Sequence, residues 1–289
     1  MTGSFTLERR YRLLLRAYPA AYRERHGDEL IGTLMQASGP QATLPTAREA
    51  LHLLSGGLTT RVREARSRAP WWADGLHLGV LAVATTTFAT RLDLTPHLVR
   101  PVWTLLAILL MLAIVRGRVA LALPLALIAA LEATGVLGAM GVPDFGSSPV
   151  EVSNRVPYLV IVAGLGVLAV RGRRRLPARS WIWLLVPVFA WAVRAAALSL
   201  GFHSFTEETA WLLFRAGVEV LLLGAVVWAT SVARDARWAL AGALYLIPGL
   251  AYFAENLSEH GRKGLAYWGL LTVLVAASLV VARRRRERI

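Results

Sequence analysis

Hydrophobic positions fall in two regimes along the chain. The first 70 residues interleave apolar and charged positions at helical spacing, and from Trp71 onward apolar residues run in long blocks with short polar breaks. In the first regime Leu7, Tyr11, Leu14, Leu15 and Tyr18 predict a helix over Leu7–Tyr18, with Arg9, Arg10, Arg12 and Arg16 on its other faces. Pro19 suits the first turn of a second helix, Ala20–Ala37, which carries Tyr22, Leu30, Ile31, Leu34 and Met35 and is stopped by Ser38-Gly39-Pro40. Thr46-Ala47-Arg48-Glu49 has the form of a capping box and opens a third helix towards Arg66, weakened at Gly56-Gly57. No apolar run here reaches the ~20 residues of a membrane span. Nor does the apolar core of a cleavable signal peptide follow the basic start. The expectation is a small cytoplasmic three-helix domain over residues 1–70.

Eight apolar blocks follow, at 73–90, 99–115, 119–142, 156–170, 181–201, 210–232, 238–255 and 264–282. They predict an all-α, polytopic membrane protein with about eight transmembrane helices in residues 71–289. Arg116-Gly117-Arg118 leaves room only for a tight hairpin between the second and third blocks. The basic stretch Arg171–Arg179 divides the blocks into halves, 71–170 and 181–289, without a residue-level repeat between them.

Composition explains the pattern. The chain of 289 residues is 56% hydrophobic and 17% charged, with mean hydropathy +0.51 and a net charge of +14. Soluble domains carry about 25% charge. Nucleic-acid binding accounts for the charge but not the hydropathy, and lipid-embedded helices with basic cytoplasmic loops account for both. With no cysteine, a disulfide scaffold and a cysteine-ligated metal are excluded. The basic residues are 31 Arg and one Lys, a bias that GC-rich bacterial genomes produce. With the amino terminus inside, the inner breaks (116–118, 171–179, 234–237 and the tail 283–288) hold 14 basic residues against five outside. The positive-inside rule then sets both termini in the cytoplasm of a bacterial plasma membrane. Nine of the ten Trp lie near predicted span ends, where an indole suits the interface, and only Trp191 is mid-span.

Four ionisable residues stand at mid-depth in the predicted spans: Glu132, Arg194, Arg215 and Glu219. A charge there costs about 2.5–3.5 kcal/mol on insertion scales, so these residues are expected to face one another rather than lipid. Arg215 and Glu219 share a helix face at i,i+4. The four form either a polar pocket for a substrate or proton, or a structural ion-pair cluster. The spans hold no Asn or Gln, and histidine is expected to be missing from their core. Pro124, Pro187 and Pro248 lie within spans, where they break or kink a helix. Outer-loop groups (His203, Glu207, Glu208; Glu255, Glu259, His260) match no zinc spacing. There is no Walker A loop, GxSxG, HExxH or dinucleotide fingerprint. No catalytic, cofactor or metal site is therefore expected, and the protein is read as a non-enzyme.

The segment from Tyr11 to Leu30 contains Tyr18-Pro19, Tyr22-Arg23, Gly27 and Glu29-Leu30 in a YP-x-x-YR-x-x-x-G-x-E-L arrangement. Residues 6–66 resemble the helical amino-terminal domain of actinobacterial multi-pass membrane proteins, similar to HAAS-type signalling and permease-prefix modules. The resemblance implies a regulatory role and a cytoplasmic protein partner such as a PadR-like regulator, with Tyr18, Pro19, Tyr22, Gly27 and Glu29 shaping the domain. The expected function is that of a regulatory or accessory membrane protein embedded in the lipid bilayer. The alternative is a permease or exporter subunit built on the mid-membrane charges.

Overall fold

The computed structural model describes residues 2–38, 42–64, 69–93, 101–136, 152–199, 205–255 and 257–286. Among them every regular element is a helix, and the chain divides into two compact units, Met1–Arg66 and Ser67–Ile289.

The first unit contains α1 (Thr2–Leu14), a 3-10 turn (Leu15–Ala17), α2 (Ala20–Ala37) and α3 (Ala47–Glu64). The first helix starts earlier than its apolar spacing suggested and tightens before Tyr18. The cause is Pro19, which forces the preceding residue into extended backbone, here φ −80°, ψ 154°. Leu7, Tyr11, Leu15, Tyr18, Ile31 and Leu53 form the buried core. The capping box is realised: Thr46 N–H donates to Glu49 Oε2 at 3.0 Å, and Glu49 N–H donates to Thr46 Oγ1 at 3.3 Å. At the other end of α3, Arg61 donates to the carbonyls of Arg16 and Ala17 at 2.5 Å, which the end of the 3-10 turn leaves unpaired within the helix. Helix α3 runs unbroken through Gly56-Gly57. Gly57 lets the helix touch that turn, since a Cβ there would sit 2.8 Å from the Ala17 carbonyl carbon.

The second unit comprises α4 (Trp71–Asp93), α5 (Pro101–Val115), α6 (Val119–Ala133), α7 (Val152–Val170), α8 (Ile182–Ser199), α9 (Phe205–Ala233), α10 (Arg237–Glu255) and α11 (Leu257–Arg286). One of these helices falls on each apolar block, several of them extending beyond it. The third is shorter than expected, because α6 stops at Ala133 where Gly135 takes a left-handed φ of +74°. Residues 137–142 of that block lie outside the described residues. Among the described residues, three stretches are long and apolar enough to cross a membrane: Ala216–Ala233, Arg237–Glu255 and Gly264–Arg283. Helices α5 to α8 carry shorter apolar runs.

Helix α4 is the hub, packing against α5, α7, α8 and α10. That position explains its lower apolarity, because most of its surface meets protein. Its Thr85 and Thr87 hydroxyls donate to the carbonyls of Leu81 and Val83, each at 2.7 Å, so they stay paired without water. One core joins α4, α5, α6 and α7 with Leu176, and a second joins α9, α10 and α11 around Leu223, Leu246, Trp268 and Leu271. Helix α10 also packs on α4 and α7, which connects the two.

Gly57→Ala is expected to cost about 1–3 kcal/mol, because its Cβ meets backbone rather than a movable side chain. Gly56→Ala, which meets only the Tyr18 hydroxyl, is expected to cost less. Hydrogen exchange of α3 amides in the full-length protein reads the difference.

Candidate functional site

The start of α4 carries the most tightly held ionic group of the described residues. Asp74 is 2% exposed, and its carboxylate accepts from two arginines distant in sequence. Arg179 donates to Asp74 Oδ1 and, at 3.2 Å, to the Asp74 carbonyl. Arg237 Nη1 donates to Oδ2 at 3.2 Å. Asp235 completes the set: its Oδ1 accepts the Arg237 backbone N–H at 3.0 Å, and its Oδ2 lies 3.4 Å from Arg237 Nε. Two carboxylates and two guanidiniums give a neutral group, the condition under which buried charges persist.

Local folding supplies each member. Asp74 lies in the first turn of α4, where a negative charge is favoured by the helix dipole. Arg237 begins α10, and Gly75 lets the two helices meet, since a Cβ there would stand 2.8 Å from the Arg237 carbonyl oxygen. Arg179 is delivered by the stretch between α7 and α8, which is strapped to the α5–α6 turn. Leu176 N–H donates to Gly117 O at 2.9 Å and Arg179 N–H to Val115 O at 2.7 Å. Gly117 is required there: its φ is +64°, and a Cβ would lie 2.3 Å from Leu176 O.

His77, one turn beyond Asp74, is 1% exposed. Its Nε2 lies 2.7 Å from the Ile114 carbonyl, and because a carbonyl only accepts, Nε2 carries the hydrogen. This corrects the expectation that the core lacks histidine. The signal was present in the sequence, because Asp74 and His77 are the only ionisable residues between Pro70 and Thr90, spaced to share a helix face.

Three arginine–tryptophan contacts occur on the same segments. The Arg116 guanidinium lies 4.3 Å from the Trp181 ring, Arg237 5.0 Å from Trp238 and Arg171 6.0 Å from Trp72. The start of α4, the α5–α6 turn, the α7–α8 connection and the start of α10 are therefore gathered at one end of the unit.

The mid-span residues are placed differently. Glu132 is buried on α6. Glu219 is buried on α9 and accepts from the Tyr267 hydroxyl of α11. Helices α6 and α9 do not pack against each other among the described residues, so these two acids are not on neighbouring helices. The side chains of Arg194 and Arg215 lie outside the described residues, as do those of His203, Glu207, Glu208, Glu259 and His260.

In the first unit, Tyr18 is buried and stacks on Tyr22 with ring centroids 5.0 Å apart, Pro19 caps α2, and Gly27 is buried. Glu29 is exposed, its carboxylate 3.8 Å from His26 Nδ1. Tyr11 donates to Glu49 Oε2 at 3.0 Å, and burial pushes its phenol above the ordinary tyrosine value. Glu49 is held below the ordinary glutamate value, first by the Thr46 backbone N–H and then by the Tyr11 hydroxyl.

Comparison of the chain with family models, with curated proteins and with solved structures returns no match.

Asp74→Asn is expected to lower unfolding stability in mixed micelles by about 3–5 kcal/mol, because it leaves two arginines against one acid. Arg179→Met, whose side chain is 22% exposed, is expected to cost less. For Glu49, a depressed folded pKa stabilises the unit above the ordinary carboxylate range and is lost as pH falls through the depressed value. Amide exchange in the first turn of α3 should rise over that acidic window, and Glu49→Gln should remove the pH dependence.

Proposed function

We propose that this chain is a multi-pass membrane protein of regulatory or accessory type, with eight spans, both termini in the cytoplasm and an amino-terminal helical unit that binds a protein partner. The observation that carries the proposal is the gathering of the basic connections and their tryptophans at one end of the second unit. Helices that alternate direction must return to the same side at every second connection. The connections that meet are those that the charge count assigns to the cytoplasm. Apolar exposure supports lipid as the surrounding medium: Leu105, Leu185, Phe189, Leu221 and Val273 are each more than half exposed, while Asp74, Arg237 and Glu219 are buried.

The accessory role is favoured over transport because the best-defined buried charges bind one another in a neutral group. The first unit supports the partner-binding role. It has its own core, to which the motif residues Tyr18 and Tyr22 contribute, and α2 leaves Glu24, Arg25, Asp28 and Glu29 on its outer face. The resemblance to HAAS-type and permease-prefix modules points the same way, with a PadR-like regulator as the candidate partner. The buried Glu219–Tyr267 pair favours a second proposal, a permease or exporter subunit.

Because the chain has no cysteine, single cysteines report topology directly. Arg118→Cys and Arg174→Cys should react with an impermeant maleimide only after cell permeabilisation, and Ser147→Cys should react in intact cells. The reverse pattern overturns the topology. Deleting residues 1–66 should abolish a regulatory phenotype. Glu219→Gln should change only stability, and loss of solute flux on that substitution supports the permease instead.

A further inference from the structure

Helices α5 and α7 end in the same four residues, Val115-Arg116-Gly117-Arg118 and Val170-Arg171-Gly172-Arg173. Both close by the same turn. Gly117 and Gly172 take left-handed φ of +64° and +72°. Arg118 N–H then donates to Ala113 O at 2.9 Å, and Arg173 N–H to Leu168 O at 2.8 Å, the long backbone bond of a Schellman ending. In both turns the arginine before the glycine lies against a tryptophan, Arg116 on Trp181 and Arg171 on Trp72.

The arginines after the glycines have no such partner among the described residues. Arg118, Arg173, Arg174 and Arg175 are all exposed. The bond from Leu176 N–H to Gly117 O draws the two turns together, so that Arg118 and Arg175 each adjoin a residue of that bond. Arg118 is also the N-cap of α6, the end at which a helix dipole disfavours a cation. Neither stretch, 116–118 or 171–179, contains an acid. At this end of the second unit the described acids are Asp74 and Asp235, which are engaged by Arg179 and Arg237, and exposed Arg234 adds a further positive charge. The backbone therefore holds like charges beside one another, an arrangement that a bound anion relieves.

The surroundings select the anion. Guanidinium forks match phosphate oxygens. The surface that follows is apolar: Trp181 is half exposed, and Ile182, Leu185 and Phe189 share one face of α8 and are exposed 62%, 63% and 70%. A phosphate joined to hydrocarbon satisfies both surfaces, whereas a soluble phosphate satisfies only the first. A second copy would set these arginines against their equivalents.

We propose that the joined endings of α5 and α7 form a binding site for an anionic phospholipid of the cytoplasmic leaflet, its phosphate held by Arg118 and the run Arg173–Arg175 and its acyl chains lying along α8. This rests on the membrane placement proposed above and adds a specific lipid ligand to the second unit.

The test uses the full-length protein in phosphatidylcholine nanodiscs. Ala178→Cys carries a fluorophore beside the site, and Val136→Cys carries one past the opposite end of α6 as the reference; both positions are exposed. A small fraction of lipid with a nitroxide high on one acyl chain is added, either as phosphatidylglycerol or as phosphatidylcholine. At 178 the phosphatidylglycerol should quench at about five-fold lower content than the phosphatidylcholine, the gain that one arginine gives near a membrane surface. At 136 the two should quench alike. Arg118→Gln combined with Arg175→Gln should abolish the preference at 178 and leave quenching at 136 unchanged, which shows that the variant is inserted. Arg284→Gln combined with Arg285→Gln removes the same charge from the tail and should leave the preference intact. Equal quenching by both lipids at 178 overturns the proposal. So does an equal response to the two double variants, which identifies general surface attraction. A preference that inorganic phosphate removes, or one confined to discs holding two copies, overturns it in favour of a soluble anion or a second copy. Absence of quenching by either lipid at both positions overturns the membrane placement itself, and the lipid site with it.

Discussion

A carboxylate held by two arginines organises the second unit. Asp74, at the start of the central helix, is reached by Arg179 from the strap over the α5–α6 turn and by Arg237 from the start of α10. Either ion alone in such surroundings would cost several kcal/mol of lost hydration. The acid and its arginines therefore oblige their segments to stay together. The glycines make that contact possible: Gly75 admits the α10 backbone, Gly79 admits Leu244, and Gly117 admits Leu176. The glycine notches and the hydrogen-bonded ion pair between the first turns of both helices together fix the register of α10 on α4. The α9–α11 core is thereby tied to the α4–α7 core.

Much of the architecture was legible because it rests on local or periodic signals. Apolar blocks near span length located the helices of the second unit, and Thr46 with Glu49 announced the start of α3. Gly135 ends α6 early, an outcome that block hydropathy does not encode. The ionic group was not legible for a physical reason. Its pairs join residues 105 and 163 positions apart, and arginines in short loops have an adequate explanation in topology alone. Mid-span depth drew attention to Glu132 and Glu219, but depth says nothing about which helices adjoin. Asp74 and His77 stood out as the only ionisable residues between Pro70 and Thr90, but the sequence does not say which neighbours they meet.

The two units use arginine in different ways. In the second, arginines neutralise a buried acid and lie against tryptophan rings at one end of the bundle. In the first, Arg61 serves the backbone carbonyls that the 3-10 turn leaves open. Part of the net charge of +14 is thus engaged in pairing and capping, and neither task calls for a nucleic acid.

The central claim is that Asp74 and Arg237 act as a pair in joining α4 to α10. A double-mutant cycle combining Asp74→Asn with Arg237→Met, read by reversible unfolding in mixed micelles, isolates that term. A coupling energy of about 1–3 kcal/mol is predicted, with the double variant more stable than the sum of single losses implies. Additive losses, within about 0.3–0.5 kcal/mol, would contradict it.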